Sequence, residues 1–295
     1  MTARVHDQRN GALLVLGSAA VWSFGGVIAR FLSATDSWVV VFWRSLFATI
    51  FLLCFMLGRE GLHRTRDRFI SMGWAGVGVG MCFAVCSSAF VVALAHTTVA
   101  NVMLIQAGVP LIAALMTFLL FGERVGASTW AAIAAVLAGV GIMVSASLGG
   151  QVSPLGDGLA LVIAIAIATA LVITRRHSEV QMMPAVCLGT LIAGILAAVM
   201  APGYEVNVRD GLLLFMFGAL NLGLGMVLFV SGARLIPSAL AALIGVAEPI
   251  LGPMWVWLIH SEVPGSRTLV GGSVVFFALL AHLGWQFRQR GQGAY

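Results

Sequence analysis

Phe69 to Gly122 reads FISMGWAGVGVGMCFAVCSSAFVVALAHTTVANVMLIQAGVPLIAALMTFLLFG, without one Asp, Glu, Lys or Arg. About 20 helical residues cross a bilayer core of about 30 Å. This stretch is long enough to cross more than once, and Val125 to Gly156 is a second uncharged stretch. No helix in the core of a soluble domain needs such a run. The whole chain of 295 residues follows suit, with 60% hydrophobic and only 9% charged residues, against about 25% charged in a soluble domain. Lipid is therefore its main solvent.

Cutting the chain at charged or turn-rich breaks yields ten spans. They are Gly11 to Leu32, Asp36 to Gly58, Met72 to Leu94, Thr97 to Phe121, Gly126 to Leu148, Gly156 to Thr174, Met183 to Ala201, Gly211 to Gly232, Pro237 to Ile259 and Thr268 to Phe287. The first run outlasts the roughly 7 to 15 apolar residues of a signal peptide and reads as a span. All sixteen basic residues are Arg, scattered between apolar runs, so the net charge of +5 marks topology and not nucleic-acid binding. Ten spans place Arg4, Arg9, Arg59, Arg64, Arg66, Arg68, Arg124, Arg175, Arg176, Arg234, Arg288 and Arg290 on one side. The other side holds only Arg30, Arg209 and Arg267, with Arg44 inside a span. The positive-inside rule then puts both termini in the cytoplasm, and the cytoplasmic (inner) membrane is the expected location.

A shift of 139 residues lays Ala100 on Ala239, Leu104 on Leu243, Pro110 on Pro249, Glu123 on Glu262 and Gly126 on Gly265. The fourth span thus recurs as the ninth. Because each half holds five spans, an odd number, the halves 1–149 and 150–295 must be inverted relative to each other. Such repeats belong to carriers that work by alternating access.

The run Ala20 to Gly26 (AVWSFGG), the Phe-Trp-Arg-Ser-Leu run around Arg44 and the repeated Ala…Pro…Glu pattern resemble the EamA-type drug/metabolite transporter superfamily over nearly the whole chain. The resemblance implies an all-α integral membrane bundle of ten transmembrane helices around a central cavity, working as a secondary carrier. Within the superfamily the chain looks most like bacterial amino-acid exporters, including the YddG-type exporters of aromatic amino acids. Met183 stands where the repeat would place a partner for Arg44, which argues against a symmetric role for that arginine.

An ion at membrane depth costs about 2.5 to 3.5 kcal/mol on insertion scales, so it needs a partner or a wet cavity. Glu248, in the ninth span before Pro249, reads either as a carboxylate for a substrate ammonium or a proton, or as a buried acid satisfied at the proline break. Arg44 reads as a carboxylate holder or gating ion pair, or as a structural arginine capping carbonyls. Pro110 and Pro249 mark helix breaks or hinges, freeing the carbonyls of Gln106 and Gly245. Gln106 shares the face of Pro110 and can offer donor and acceptor to a polar substrate. Trp22, Ser23, Asn101 and Asn221 lie within spans and read as cavity wall, or for the two amides as interhelical glue. Glu123 and Glu262, each ahead of a new helix, read as caps.

Neither Cys54, Cys82, Cys86 and Cys187 nor His260 and His282 has the spacing of a metal site, and no cofactor is expected. No phosphate-binding loop is present, and no Ser-His or paired-acid constellation for an enzyme. The leading expectation is export of small metabolites, amino acids first. Export of cationic or hydrophobic drugs is the alternative, with a channel or a non-transport subunit behind it. Its partners are a small-molecule substrate and the lipid bilayer, with a monomer as the simplest form.

Overall fold

The computed structural model of the chain describes residues 2–33, 36–122, 126–148, 153–177 and 180–292. The expected boundary at 149/150 falls outside them, as do Glu123 and Arg124. The helices are α1 (Thr2–Ser23), α2 (Gly25–Phe31), α3 (Ser37–Ser71), α4 (Gly73–His96), α5 (Val99–Ala107), α6 (Val109–Phe121), α7 (Ala127–Leu148), α8 (Pro154–Arg176) and α9 (Met182–Met200). Then follow α10 (Val208–Phe215), a π-helical segment Met216–Leu224, α11 (Gly225–Ala233), α12 (Ser238–Gly245), α13 (Glu248–His260) and α14 (Ser266–Gln292). Among the described residues nine spans are long and apolar enough to cross a membrane, and the bent pair α5–α6 makes the tenth.

Helix starts are written locally. The Asp36 carboxylate accepts from the Trp38 and Val39 amides, the Thr98 hydroxyl from Asn101 N, and the Asn207 side-chain oxygen Oδ1 from Asp210 N. Each satisfies a donor that the first helical turn leaves open. The second span was expected to end at Gly58, yet α3 continues to Ser71 through a kink at Gly61, where φ is 78°. Hydropathy marks where the apolar span ends, and a helix is free to continue beyond it.

The repeat is visible in the backbone. Gly122 ends α6 and Ser261 ends α13, 139 residues apart, both left-handed with φ of 65° and 55°. Gly108 and Ala247, again 139 apart, precede α6 and α13. Packing obeys the same inverted symmetry: α4 lies on α8 as α11 lies on α1, and α4 lies on α9 as the π-helical segment lies on α3. Three pairs bridge the halves through equivalent spans, α3 with α9, α7 with α14 and α5 with α13. Gly139 and Gly271 bring α7 and α14 into backbone contact, since a Cβ on Gly139 would lie 2.6 Å from the Gly271 carbonyl oxygen. With no hydrophobic drive between helices in lipid, such close approach is what binds them. The largest buried cluster sits where α4, α5, α7, α8 and α14 converge, around Ile105, Met143, Ile163 and Val275.

A candidate substrate site at four broken helices

Four spans are interrupted well inside their length. The first breaks at Phe24 between α1 and α2, the fourth at Gly108, the eighth widens into the π-helical segment, and the ninth breaks at Val246–Ala247. The breaks are neighbours: α1 packs on α13 and on the π-helical segment, α2 packs on both, and α5 packs on α13. Discontinuous helices and π-bulges in membrane proteins line sites, because their freed polar groups need company.

The break in the first span is held by Asn221. Its amide nitrogen donates to Val21 O (2.5 Å) and Trp22 O (3.3 Å), two carbonyls at the end of α1. A Cβ on Gly25 would lie 3.1 Å from Asn221 Oδ1, so glycine permits this approach. Ser23, fully buried, donates to Ala20 O (2.7 Å) and accepts from Trp255 Nε1 (3.2 Å). Trp255 in turn stacks on Phe24, centroids 5.4 Å apart and planes at 11°. Trp22 packs against Phe229 at 5.5 Å.

The prolines sit in the first turns of α6 and α13, where a missing N–H costs nothing, so each break lies just ahead of its proline, at Gly108 and at Val246–Ala247. Span four bends by 44° at its break, while span nine runs from Leu240 to His260 as one span. On α13 the exposed Ile250 and Trp257 mark one face. Glu248, Gly252 and Trp255 share the opposite face at helical spacing. That face points inward, since Gly252 abuts Met103 Sδ of α5 and Trp255 reaches Ser23. Glu248 is half-buried and forms no hydrogen bond or ion pair with a described residue. Gln106, one turn beyond Met103 on α5, is also half-buried, its amide nitrogen donating to Val102 O (3.2 Å). The structure thus brings Trp22, Ser23 and Asn221 together directly, and sets Gln106 and Glu248 on two helices that pack against each other.

Asn101 does not line a cavity. It is fully buried, donates to Asp157 Oδ1 (2.8 Å) and accepts from the Thr268 hydroxyl (2.6 Å), and Thr97 also donates to Asp157 Oδ1 (2.8 Å). It is interhelical glue between α5, α8 and α14. Arg44 makes no ion pair among the described residues. Nη1 donates to Ser87 O and Oγ (3.3 and 3.1 Å), and the guanidinium lies over Phe217 and Phe90, 4.4 and 5.4 Å from the ring centres. Arg44 therefore ties α3 to α4 and the π-helical segment, away from Glu248.

The end of the bundle that carries Arg30, Arg209 and Arg267 is tied shut. Arg30 donates through Nε to Glu262 Oε2 (2.7 Å), through Nη1 to Leu94 O (2.7 Å) and through Nη2 to Thr97 O (3.0 Å). Glu262 Oε1 accepts from the Val99 amide (2.8 Å), so it caps α5 of the other half and not the helix that follows it, as the sequence had suggested. At the same end Ser33 donates to Asp210 (2.6 Å). At the opposite end α6 packs on α7 and α8, and α12 on α1 and α14, and neither is a principal neighbour of the other. A separate cavity of about 330 Å³ between α4 and α8, lined by Met81, Cys82, Val85, Val162 and Ile165 among others, is apolar and bordered by exposed side chains. It opens on the outside of the bundle, on two helices that are not among the broken ones.

An all-helical membrane bundle in two inverted halves, with broken helices converging on an inward-facing acid, defines a transporter of small molecules. The profile of the EamA-like transporter family matches residues 9–145 and again 154–283, and the chain belongs to that family. Its members are membrane transporters and not enzymes. A solved structure described only as a crystal structure of a protein is similar over 92% of this chain and 96% of its own, at 18% identity and a TM-score of 0.63, a likeness of fold alone. No curated protein matches the chain.

Proposed function

We propose that the protein is a secondary carrier that exports small metabolites, amino acids first, aromatic or broad in range, from the cytoplasm by alternating access. The cytoplasmic membrane holds it with both termini inside, and residues 1–149 and 150–295 are the halves that rock. The observation that carries this reading is Glu248, a carboxylate on the inward face of α13 with no partner among the described residues, about two turns from Trp255 of the Phe24–Trp255 stack and on the same face. Such an acid at membrane depth is stable only against a cation or water. It suits a substrate ammonium, while the Gln106 amide offers donors to a carboxylate. Arg30 and Glu262 close the outer end, and the cytoplasmic end is the one that admits substrate.

The test is counterflow of labelled amino acids in proteoliposomes. Glu248→Gln is expected to cut flux at least tenfold while elution volume and helicity stay unchanged. Absence of flux over a broad amino-acid panel sinks the substrate claim. The second reading, a cationic drug exporter, draws on the same acid and aromatic stack. Cells protected against a cationic dye by the wild type but not by Glu248→Gln favour it.

A further inference from the structure

The tail of α3, Leu62 to Ser71, lies between two glycines in left-handed backbone, Gly61 (φ 78°) and Gly73 (φ 53°). Both turn the chain at little cost only because glycine lacks a Cβ. The segment is thus set off from the span before it and from α4 after it. Across the first turn Arg68 Nε pairs with Glu60 Oε2 at 2.6 Å, which fixes its direction.

Its side chains sort into three faces. Thr65 and Met72 are buried and Phe69 packs beside Met72, so this side sits on the bundle. His63, Arg64 and Asp67 are exposed. Leu62, Arg66 and Ile70 recur at every fourth residue and form one row, with Leu62 69% and Ile70 63% exposed. Beyond the second turn Trp74 is 89% exposed. Two aliphatics and a tryptophan standing clear of the protein immediately after a membrane span face hydrocarbon and headgroups, not water. Arg66 in the middle of that row must reach up to something anionic at headgroup depth. Arg64, two residues back and so nearly opposite Arg66 around the helix, belongs to the exposed polar face with His63 and Asp67, and Arg68 is already spent on Glu60.

We propose that Leu62 to Ser71 is an interfacial helix that binds an anionic phospholipid, with Leu62, Ile70 and Trp74 in the acyl boundary and Arg66 on the phosphate headgroup. The occupant is a lipid and not a soluble anion, because the cation is interleaved with exposed apolar side chains. One arginine near an anionic surface contributes about 1 kcal/mol, about fivefold in affinity.

The experiment uses the full chain in detergent, titrated with equal phosphatidylglycerol and phosphatidylcholine, and native mass spectrometry of the lipid retained. The wild type is expected to retain phosphatidylglycerol preferentially, and Arg66→Gln to lose that preference by about fivefold, while Arg64→Gln on the other face keeps most of it. Leu62→Ser with Ile70→Ser, which leaves the charges in place, is expected to weaken both lipids. Arg209→Gln, an exposed arginine at the other end of the bundle, is expected to change nothing. An unchanged preference in Arg66→Gln overturns the proposal. So does an equal loss in Arg209→Gln, or equal competition by soluble glycerophosphate, which would mark a site for a free anion.

Discussion

Glu262→Gln separates the two tasks of one carboxylate. The amide oxygen still accepts from Val99, but the charge pair with Arg30 is lost, and Arg30 keeps only the carbonyls of Leu94 and Thr97. The pair is neither exposed nor dry, with 29% and 20% of the two side chains accessible. An exposed pair contributes at most about 1 kcal/mol, and a hydrogen bond to a charged group about 1.5 to 3 kcal/mol. The 2.7 Å contact and limited exposure favour the second figure, which moves the balance between sealed and open outer ends by about 10- to 150-fold. A cysteine at Met103, buried beneath the seal in a cysteine-free background, reports that balance through a membrane-impermeant maleimide added to right-side-out vesicles. Its labelling rate is expected to rise by that factor in Glu262→Gln and in Arg30→Gln, with little more in the double variant, since both remove one interaction. Rates within twofold of wild type in both single variants, with folding intact, would refute the seal.

Two further outcomes follow from the packing. Gly139→Val places a side chain into the Gly271 backbone and is expected to cost about 1 to 3 kcal/mol or more, seen as a lower unfolding temperature in detergent, whereas Gly284→Ala, whose Cβ meets nothing, is expected to be silent. Asn101→Ala strips Thr268 of its acceptor and Asp157 of a donor in a fully buried site. At about 1 to 3 kcal/mol for each orphaned group, it is expected to lower thermal stability while flux per folded molecule at low temperature holds.

Legibility in the sequence followed the range of the forces involved. The spans were readable because transfer into lipid is a sum over single residues, and Phe69 to Gly122 carries that sum without a neighbour's help. Pro110 and Pro249 announced two of the broken helices, since proline acts on its own backbone. The π-helical segment had no such signal beyond Gly218 and Gly223, and Asn221 became informative only when Val21 and Trp22 lay beneath it. Arg30 and Glu262 are 232 residues apart, so nothing local joins them. Asp157 looked like the edge of a span and proved to be the hub of a buried network with Thr97 and Asn101. Trp255 and Phe24 went unremarked because an aromatic in an apolar run is ordinary until its stacking partner is known.

The repeat shapes the scaffold twice but the site once. Val109 and Glu248 are equivalent, each the first residue after the break, at the start of α6 and of α13. Their surroundings differ. Val109 is 6% exposed and belongs to the main apolar cluster with Val136 and Ile105, while Glu248 is half-buried on a face shared with Gly252 and Trp255. Moving the acid across the repeat, in Glu248→Val with Val109→Glu, keeps the composition and the backbone position yet places a carboxylate in a dry core. An unpaired buried charge costs several kcal/mol, more than the net stability many single interactions supply. The double variant is expected to unfold at lower temperature than Glu248→Val alone and to restore no transport. Flux near the wild-type level would show that either half can host the acid, and that the site lies on the axis between the repeats instead of on the α13 side of it.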